Sequence, residues 1–551
     1  QLVQEAERNN ALLATRPVGK DDANEATLRQ FRRLVDKDKV RQAVRFLTER
    51  GGGGTLDPND LAEADPAGRT IREVLESKHP AQSDPDPSCF LDRPLPPLTQ
   101  VEITSNHIER AARATKEAPD HAELRSELAA MASHIANEDV PWERLQALRA
   151  CRLIGLDKQP KVRPIGIGEV LMRIMGKAIA KAVGVDAEIV CGADQLCAGL
   201  KGGVEGAIHT VSGEFDSGGV ECAILVDATN VFNTMNRPAA LWNVRILWPR
   251  CSRFLFNTYR GHAALYMRDQ SAPLWSQGGT TQGDPLASLF YSVATLPLVW
   301  EMKRPADEGP QAWFADDSAK VRGLQPVREW WDELQRRGPL RDYHPNGKKS
   351  KLVVRAGCKE RAREVFGDTD VEIVSGARYM GGFVGTAEGK RAYAAEKVEE
   401  WQRCVNRKAD AAAKYPQAAC TALTTSLQAE WDFFMRVMPE ERATFQPLRD
   451  ALTHYLTQLS SHAVTATEAQ LMMLPARHGG IGVRDPMERV AAAYETSTKG
   501  TSLLVSTFQN GDPTDGPPFN PFQHRVDMQQ AVQEGRRATD EAAKERFEDG
   551  L

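Results

Sequence analysis

The spacing of apolar residues divides the chain into a helical beginning, a mixed central region and a helical end. From Glu25 to Arg50, Leu, Phe and Val recur at helical spacing among basic residues. Between 150 and 385, short apolar runs alternate with longer helical patterns, which predicts an α/β region. Beyond Arg391 three long helical segments are predicted, at 391–414, 416–437 and 440–460.

Glycine and proline interrupt this pattern. Gly51–Gly54 ends the first helical segment, and the proline-rich stretch from Leu56 to Pro97 is typical of a linker. The residues after Ser506 are again rich in Pro, Asp and Gly. We therefore predict a helical N-terminal segment, a linker, a helical extension, an α/β region, a second helical region and a tail, at 1–50, 51–100, 101–150, 151–390, 391–500 and 501–551.

Two apolar runs of the central region end in aspartate. Cys222–Val226 is apolar throughout and is followed by Asp227, and Trp313-Phe-Ala precedes Asp316 and Asp317 at the turn of a predicted hairpin. A carboxylate is costly to bury unless a cation neutralises it. Carboxylates brought together from separate strands suit Mg²⁺, and the carbonyl of Ala228 is a further oxygen donor. The alternative is that Asp316-Asp317 is an ordinary turn or helix cap.

Two further segments are candidates for contacts with a phosphorylated ligand. Lys161 and Arg163 lie in a basic turn, Lys158–Pro164, which is suited to a triphosphate, although a solvated charged turn has the same composition. Gly278-Gly-Thr-Thr-Gln-Gly-Asp-Pro285 permits close backbone approach, with Gln282 and Gly283 as contacts. The alternative there is a plain helix start at Asp284-Pro285.

Two polar or glycine-rich turns complete the ordered set. In Asn346–Lys351, Lys349 is our candidate for a general acid, with Lys348 and Lys351 equally allowed by spacing. The tight turn formed by Tyr379, Met380, Gly381 and Gly382 offers a support for a primer strand.

In this order, the segments resemble the reverse transcriptase domain, and more closely that of non-LTR retroelements than that of retroviruses. The similarity covers about 150–390, and Leu474–Val483 is similar to a segment that often follows the polymerase in such elements. The resemblance implies an α/β (α+β) right-hand polymerase with a helical N-terminal extension: fingers at 151–215, a palm with an antiparallel sheet at 216–390, and a helical thumb and connector at 391–500.

The resemblance also implies roles for individual residues. Asp227, Asp316 and Asp317 match the catalytic carboxylates, which with the carbonyl of Ala228 bind two Mg²⁺ ions, or Mn²⁺ in their place. Phe232 falls at the position that excludes a 2′-hydroxyl, although a core phenylalanine is the alternative. The implied activity is RNA-directed DNA polymerisation by two-metal phosphoryl transfer, with an RNA template, a DNA or RNA primer and dNTPs as partners.

Net charge and cysteine content lead to predictions about nucleic-acid binding, zinc binding and the cell compartment. The net charge of −5 means that a nucleic-acid surface is local, and Lys397, Arg403 and Arg407 on the first thumb helix are its primer/template candidates. Glu396, Glu399 and Glu400 support a merely solvated face instead. Nine scattered cysteines without a CxxC pair predict no zinc site and a reducing, intracellular compartment: the cytoplasm or nucleus.

Neither a membrane partner nor a signal peptide is predicted. We recognise no nuclease motif or RNase H domain. A separate endonuclease or integrase is a further expected partner, and the alternatives are a nuclease in sequence outside this chain or none at all. A host-domesticated or defence-associated reverse transcriptase, an inactive palm that binds RNA as a scaffold, and an RNA-dependent RNA polymerase stay open as alternatives.

Overall fold

The computed structural model describes residues 20–49, 54–63, 65–115, 121–303, 309–440, 442–510 and 519–549, with side chains from 25 onward. The chain forms two compact units. We call Gly52–Thr386 with Thr498–Gln530 the sheet unit, and Gln1–Gly51 with Ala387–Ser497 and Ala531–Leu551 the helical unit. The main segment of the sheet unit ends at Thr386, close to the predicted boundary between palm and thumb at 390.

The described part of the chain is mixed α/β, and its sheets are mainly antiparallel. The strands are β1 Thr55–Leu56, β2 Cys151–Lys158, β3 Lys161–Gly168, β4 Cys222–Val226, β5 Ala263–Tyr266, β6 Leu274–Ser276, β7 Gln311–Phe314, β8 Asp317–Arg322, β9 Lys351–Val354, β10 Glu372–Val374, β11 Gly376–Tyr379 and β12 Gly382–Gly385.

Helices precede, connect and follow these strands. They are α1 Lys20–Asp36, α2 Val40–Thr48, α3 Ile71–Ser77, α4 Ser105–Arg113, α5 Ala122–Asn137, α6 Trp142–Arg149, α7 Val170–Cys191, α8 Gly203–Asp216, α9 Val231–Thr234, α10 Arg237–Leu247, α11 Pro249–Tyr259, α12 Ala287–Met302, α13 Leu324–Arg337, α14 Lys359–Phe366, α15 Ala387–Lys414, α16 Pro416–Ala422, α17 Gln428–Val437, α18 Gln446–Ser460, α19 Ala466–Met472, α20 Pro486–Asn510 and α21 Pro521–Asp549.

The main sheet of the sheet unit has the strand order β10-β9-β4-β8-β7. All pairs are antiparallel except β10 with β9. Strand β4 lies in the middle and all five of its residues are buried, as its unbroken apolar sequence predicts. Helices pack against the sheet around a core that includes the fully buried rings of Trp248, Trp313 and Trp330.

A second sheet joins β1, β2, β5 and β6, with β3 paired to β2 along a hairpin from Cys151↔Gly168 to Lys158↔Lys161. The apolar side chains of Ile71 and Leu75 on α3 fill its core. A capping box between Thr70 and Glu73 begins this helix. Part of the segment predicted as a linker therefore belongs to this sheet, because β1 pairs with β2 and the apolar side chains of α3 complete the core.

The helical unit is built around aromatic side chains. Trp401 on α15 lies 5.3 Å from Phe434 and 6.2 Å from Trp431, measured between ring centroids, and both partners are on α17. A π-helix at Leu423–Leu427 joins α16 to α17. The three predicted helical segments correspond to α15, to α16–α17 and to α18, as expected from their spacing of apolar residues. Across the described residues, every helix is too short or too polar to cross a lipid bilayer.

Candidate active site

The three predicted carboxylates lie at the ends of neighbouring strands of the main sheet. Asp227 directly follows β4, and Asp316 and Asp317 lie at the turn between β7 and β8. The register pairs Val226 with Ser318, so Asp227 comes level with the start of β8. Antiparallel pairing across 90 residues of sequence therefore brings the three side chains to one edge of the sheet.

A buried glutamine that sequence reasoning missed holds the β7–β8 turn. Ala315 has a φ of 53°, a left-handed conformation that is uncommon for a residue with a Cβ. The side chain of Gln195 accepts the N–H of Ala315 at 2.8 Å and donates to its carbonyl at 3.2 Å. Tyr343 donates its hydroxyl to the carbonyl of Asp316 at 2.9 Å. These contacts compensate for the strained turn that presents the aspartate pair.

The electrostatics of the carboxylates reflect crowding of negative charge. Burial raises the pKa of Asp316, and the charge of Asp227 raises it further. Desolvation, followed by repulsion from Asp316 and Asp227, raises the pKa of Asp317 to about 7, although the surface of this residue is exposed. The positive charges of Lys158 and Arg163 oppose the shift at Asp316. The cluster is therefore one that a cation would stabilise.

The donor set fits a hard divalent cation, although it is not arranged as a complete binding site. In the described ranges, no group of three or more His, Cys, Asp or Glu side chains has the arrangement of a metal site. Ala228 makes a backbone bridge with Pro345, whose hydrogen bonds run from Thr229 N–H to His344 O and from Asn346 N–H to Asp227 O. This bridge does not use the carbonyl of Ala228, the predicted additional ligand.

Of the three lysines in the 346–351 turn, Lys349 lies beside the carboxylates. Its Nζ is 3.3 Å from Oδ1 of Asp227, and both side chains are partly exposed. Lys351 pairs instead with Glu372, and Lys348 is exposed. Geometry therefore distinguishes Lys349 from two neighbours that spacing could not separate, while its role as an acid stays a prediction.

A group of basic residues converges on the same region. Lys158 and Lys161 are the last paired residues of the β2–β3 hairpin, and Arg163 follows on β3. The pKa of Lys78 is lowered by burial and then by the positive charges of Lys349, Lys158, Lys161 and Arg163. Lys78 ends α3, in the segment predicted as a linker, and sequence reasoning missed it. The predicted triphosphate residues thus belong to a larger basic group.

The glycine-rich loop 278–285 packs closely on β3 and α9. Gly283 has a φ of 117°, and a Cβ there would lie 2.4 Å from the carbonyl oxygen of Gly166. The N–H of Gly166 donates to the carbonyl of Gln282 at 2.8 Å. The glycine here allows close approach of protein backbone, while the predicted close approach to a ligand and the ligand contacts of Gln282 and Gly283 stay a prediction.

Two buried arginines hold the ends of this loop. Arg237 donates to the carbonyls of Gly279 and Ser276, each at 2.8 Å. Arg149 lies 3.1 Å from Asp284, and both side chains are at most 10% exposed. Asp284 also accepts the N–H of Leu286 at 2.9 Å, which agrees with the alternative interpretation as a helix start.

Phe232 is partly buried on α9 and lies with its ring centroid 4.5 Å from that of Tyr291. Its carbonyl accepts the N–H of Thr280 at 2.5 Å, which ties the helix to the glycine-rich loop. The packing of its ring against Tyr291 and its partial exposure agree with both interpretations of Phe232: a residue that excludes a 2′-hydroxyl, and a core phenylalanine.

The predicted primer-supporting turn is the hairpin between β11 and β12. Met380 and Gly381 both have positive φ, 47° and 94°, and Tyr379 pairs with Gly382 across the turn. Tyr379 is buried, and burial together with the charge of Asp317 raises the pKa of its hydroxyl. The turn is therefore close enough to the aspartates to be affected by their charge.

The basic residues predicted to contact primer and template in the thumb belong to the helical unit, where each has an acidic partner. On α15, Lys397 pairs with Glu400 at 2.7 Å and Arg403 approaches Glu399 at 3.9 Å. Arg407 lies 3.1 Å from Glu49. This pairing accords with the alternative of a solvated helix face, and nucleic-acid contacts of these residues stay a prediction.

No protein-family model matches the chain, and no curated protein matches it. The solved structure of apo telomerase from Candida tropicalis is similar at 10% identity and a TM-score of 0.34, covering 68% of this chain and 69% of that one. Telomerase from Candida albicans, solved with a fragment of telomeric RNA, is similar at 10% identity and a TM-score of 0.31, covering 72% of each chain. These scores establish neither a common fold nor a role for any residue.

Proposed function

We propose that this protein is an RNA-directed DNA polymerase, a nucleotidyltransferase that extends a primer 3′-hydroxyl with dNTPs on an RNA template. One observation carries the proposal: a carboxylate after β4 and two at the β7–β8 turn meet at one edge of the sheet, beside a group of five basic side chains. Acidic oxygens next to converging positive charge suit a phosphoryl-transfer site. In this proposal the sheet unit contains fingers and palm of a right-hand polymerase, and the helical unit contains its thumb.

The chain's own residues divide the work of this reaction. Lys161 and Arg163, with Lys158 and Lys78 behind them, bind the triphosphate through charge-assisted hydrogen bonds. The primer 3′-hydroxyl loses its proton to solvent as its oxygen forms a bond to the α-phosphorus and the bond to pyrophosphate breaks. The ammonium group of Lys349 gives a proton to that leaving group and regains one from solvent. Phe232 excludes a 2′-hydroxyl.

The carboxylates suit Mg²⁺ because they are hard oxygen donors whose mutual repulsion a divalent cation relieves. Asp227, Asp316 and the carbonyl of Ala228 would hold the ions, with Asp317 more peripheral. Mg²⁺ held by these residues would supply positive charge for the phosphate oxygens and for the primer hydroxyl.

The first test is primer extension by the full chain on an RNA template with Mg²⁺ and dNTPs. Asp316→Asn keeps the shape of the side chain but removes its charge, so we expect extension to fall by at least about a hundredfold. Asp269→Asn is the matched control, because Asp269 is exposed and its left-handed φ of 56° suits asparagine. Extension that survives Asp316→Asn would refute the proposed site. EDTA should abolish extension by the wild-type protein.

A second test concerns the sugar. We expect Phe232→Val to raise the incorporation of NTPs relative to dNTPs, because a smaller side chain leaves room for a 2′-hydroxyl. Unchanged selectivity would indicate that Phe232 is a core residue and would reopen the RNA-dependent RNA polymerase.

An RNA-binding scaffold is the second candidate. It is favoured by the ion pair of Lys349 with Asp227 and by the incomplete metal arrangement. RNA binding without extension at any Mg²⁺ or Mn²⁺ concentration would support it.

We further propose a non-LTR retroelement type for the polymerase, from the motifs around Asp316 and Asp284, with a separate endonuclease or integrase as partner. Host-domesticated and defence-associated enzymes would share these motifs, and a genomic neighbourhood search separates them.

A further inference from the structure

A cavity of about 370 Å³ lies within the helical unit. The turn after α19, the beginning of α20 and about the last four turns of α21 form its walls, together with α18. It belongs to the part of the chain that includes Leu474–Val483, a segment without a role in the proposed polymerase reaction. Its volume is in the range of small-ligand sites.

The cavity carries an excess of positive charge. Its walls include six arginines and three carboxylates, and the carboxylates are Asp485, Glu488 and Asp540. Adding Arg442, which pairs with Glu488, and Asp432, which pairs with two of the wall arginines, gives seven positive and four negative side chains, a net charge of +3. The six wall arginines are Arg449, Arg477, Arg484, Arg489, Arg536 and Arg546.

The carboxylates are shared unevenly among these arginines. Arg449 lies 3.1 Å from Asp485, and Arg546 lies 3.1 Å from Glu488. Arg489 is 3.8 Å from Asp432, beyond hydrogen-bond distance, and Arg484 competes for the same carboxylate. Burial lowers the pKa of Arg489, and the positive charges of Arg484 and Arg536 lower it further. Arg477 pairs with Asp540, so each carboxylate already has an arginine partner and the wall arginines outnumber the carboxylates.

Arg536 contributes most clearly to this excess. It lines the cavity, its side chain is exposed, and within the described residues it has no carboxylate partner. The wall also includes apolar residues: Met473, Leu474, Pro475 and Phe547. The cavity therefore combines a guanidinium group without a carboxylate partner, among other arginines, with apolar wall residues, the two features that recognise a nucleotide.

We propose that this cavity binds a nucleotide unit, with its phosphate on Arg536 and neighbouring arginines and its base against Phe547. The unit is either a free nucleotide or one residue of an RNA strand, since both present the same phosphate and base. The site is independent of the three aspartates and does not require the proposed polymerase activity.

The test is isothermal titration calorimetry on the full chain in EDTA, which suppresses metal-dependent binding at the aspartates. The probes are AMP, a five-residue adenylate RNA and inorganic phosphate. We expect Arg536→Gln to weaken AMP or RNA binding about tenfold, because it removes a charge-assisted hydrogen bond. Arg537→Gln is the matched control: the neighbouring arginine is equally exposed on the same helix but does not line the cavity.

The outcomes separate the sources and refute the proposal cleanly. Loss of AMP binding in Arg536→Gln assigns the site to free nucleotides, and loss of RNA binding alone assigns it to a strand. Phosphate that binds as tightly as AMP, with no effect of Phe547→Ala on AMP, would reduce the cavity to a simple anion site and overturn the nucleotide. Absence of binding by all three probes, or equal effects of the two arginine variants, would overturn the site itself.

Discussion

Replacing Gly279 by alanine provides a sharp test of how the glycine-rich loop supports the candidate active site. Gly279 has a φ of 60°, and a Cβ there would lie 2.2 Å from the carbonyl oxygen of Phe232 and about as close to the backbone of Asn233. The obstacle is backbone, which cannot rotate away as a side chain can. The loop or α9 must therefore move.

The expected cost can be worked from these contacts. The left-handed conformation costs alanine about 1–2 kcal/mol. Movement weakens the hydrogen bonds from Gly279 N–H to Met235 O, at 2.7 Å, and from Thr280 N–H to Phe232 O, at 2.5 Å, each worth about 1 kcal/mol. The lower entropy of the unfolded chain returns about 0.4–1 kcal/mol. We expect a net loss of about 2–3 kcal/mol in the free energy of unfolding.

Urea unfolding followed by tryptophan fluorescence measures this loss of stability. Primer extension measures how far activity falls when Phe232 is displaced. Gly213→Ala is the control, since Gly213 is exposed on α8 and a Cβ there meets nothing within 4 Å. It should raise stability by about 0.5–1 kcal/mol. Gly279→Ala at wild-type stability with full extension activity would refute the argument, as would a loss of equal size in the control.

Three further predictions follow from buried polar groups and thiols. Arg149→Met leaves Asp284 buried without its partner and should cost about 3–5 kcal/mol in urea unfolding, whereas exposed Arg152→Met should cost less than about 0.5 kcal/mol; equal effects would show that the pair is unimportant. Gln195→Leu removes both partners of Ala315 and should lower primer extension as well as stability, while Gln325→Leu on an exposed helix face should change neither. All nine cysteines are free, and burial raises the thiol pKa at Cys191, Cys222 and Cys251; less thiolate forms at pH 8, so these three should react with DTNB only after unfolding, and rapid reaction of all nine in the native protein would contradict their burial.

Local pattern was sufficient for much of the candidate site. An unbroken apolar run predicted β4 as a fully buried strand, and Asp316 lies at the hairpin turn that its neighbours predicted. The helical segments after Arg391 also follow from periodicity. These features depend on residues close together in the chain, where apolar spacing and turn chemistry act directly.

Pairing between distant residues was not readable in the same way. Lys78 comes from a segment that its prolines marked as a linker, and Gln195 supports a turn 120 residues further along the chain. Arg407, predicted to contact nucleic acid, pairs with Glu49, which lies far earlier in the chain. No local signal marks such partners, because any exposed helix carries similar residues.

The sequence by itself therefore determined which strands carry the aspartates and in what order the chemical segments occur. Only the tertiary structure decided which basic side chains meet them, which lysine of the 346–351 turn lies beside Asp227, and where arginines outnumber carboxylates around a cavity. The physical reason is range. Strand and turn preferences arise within a few residues, whereas ion pairs, buried hydrogen bonds and cavities are formed by contacts between residues far apart in the chain.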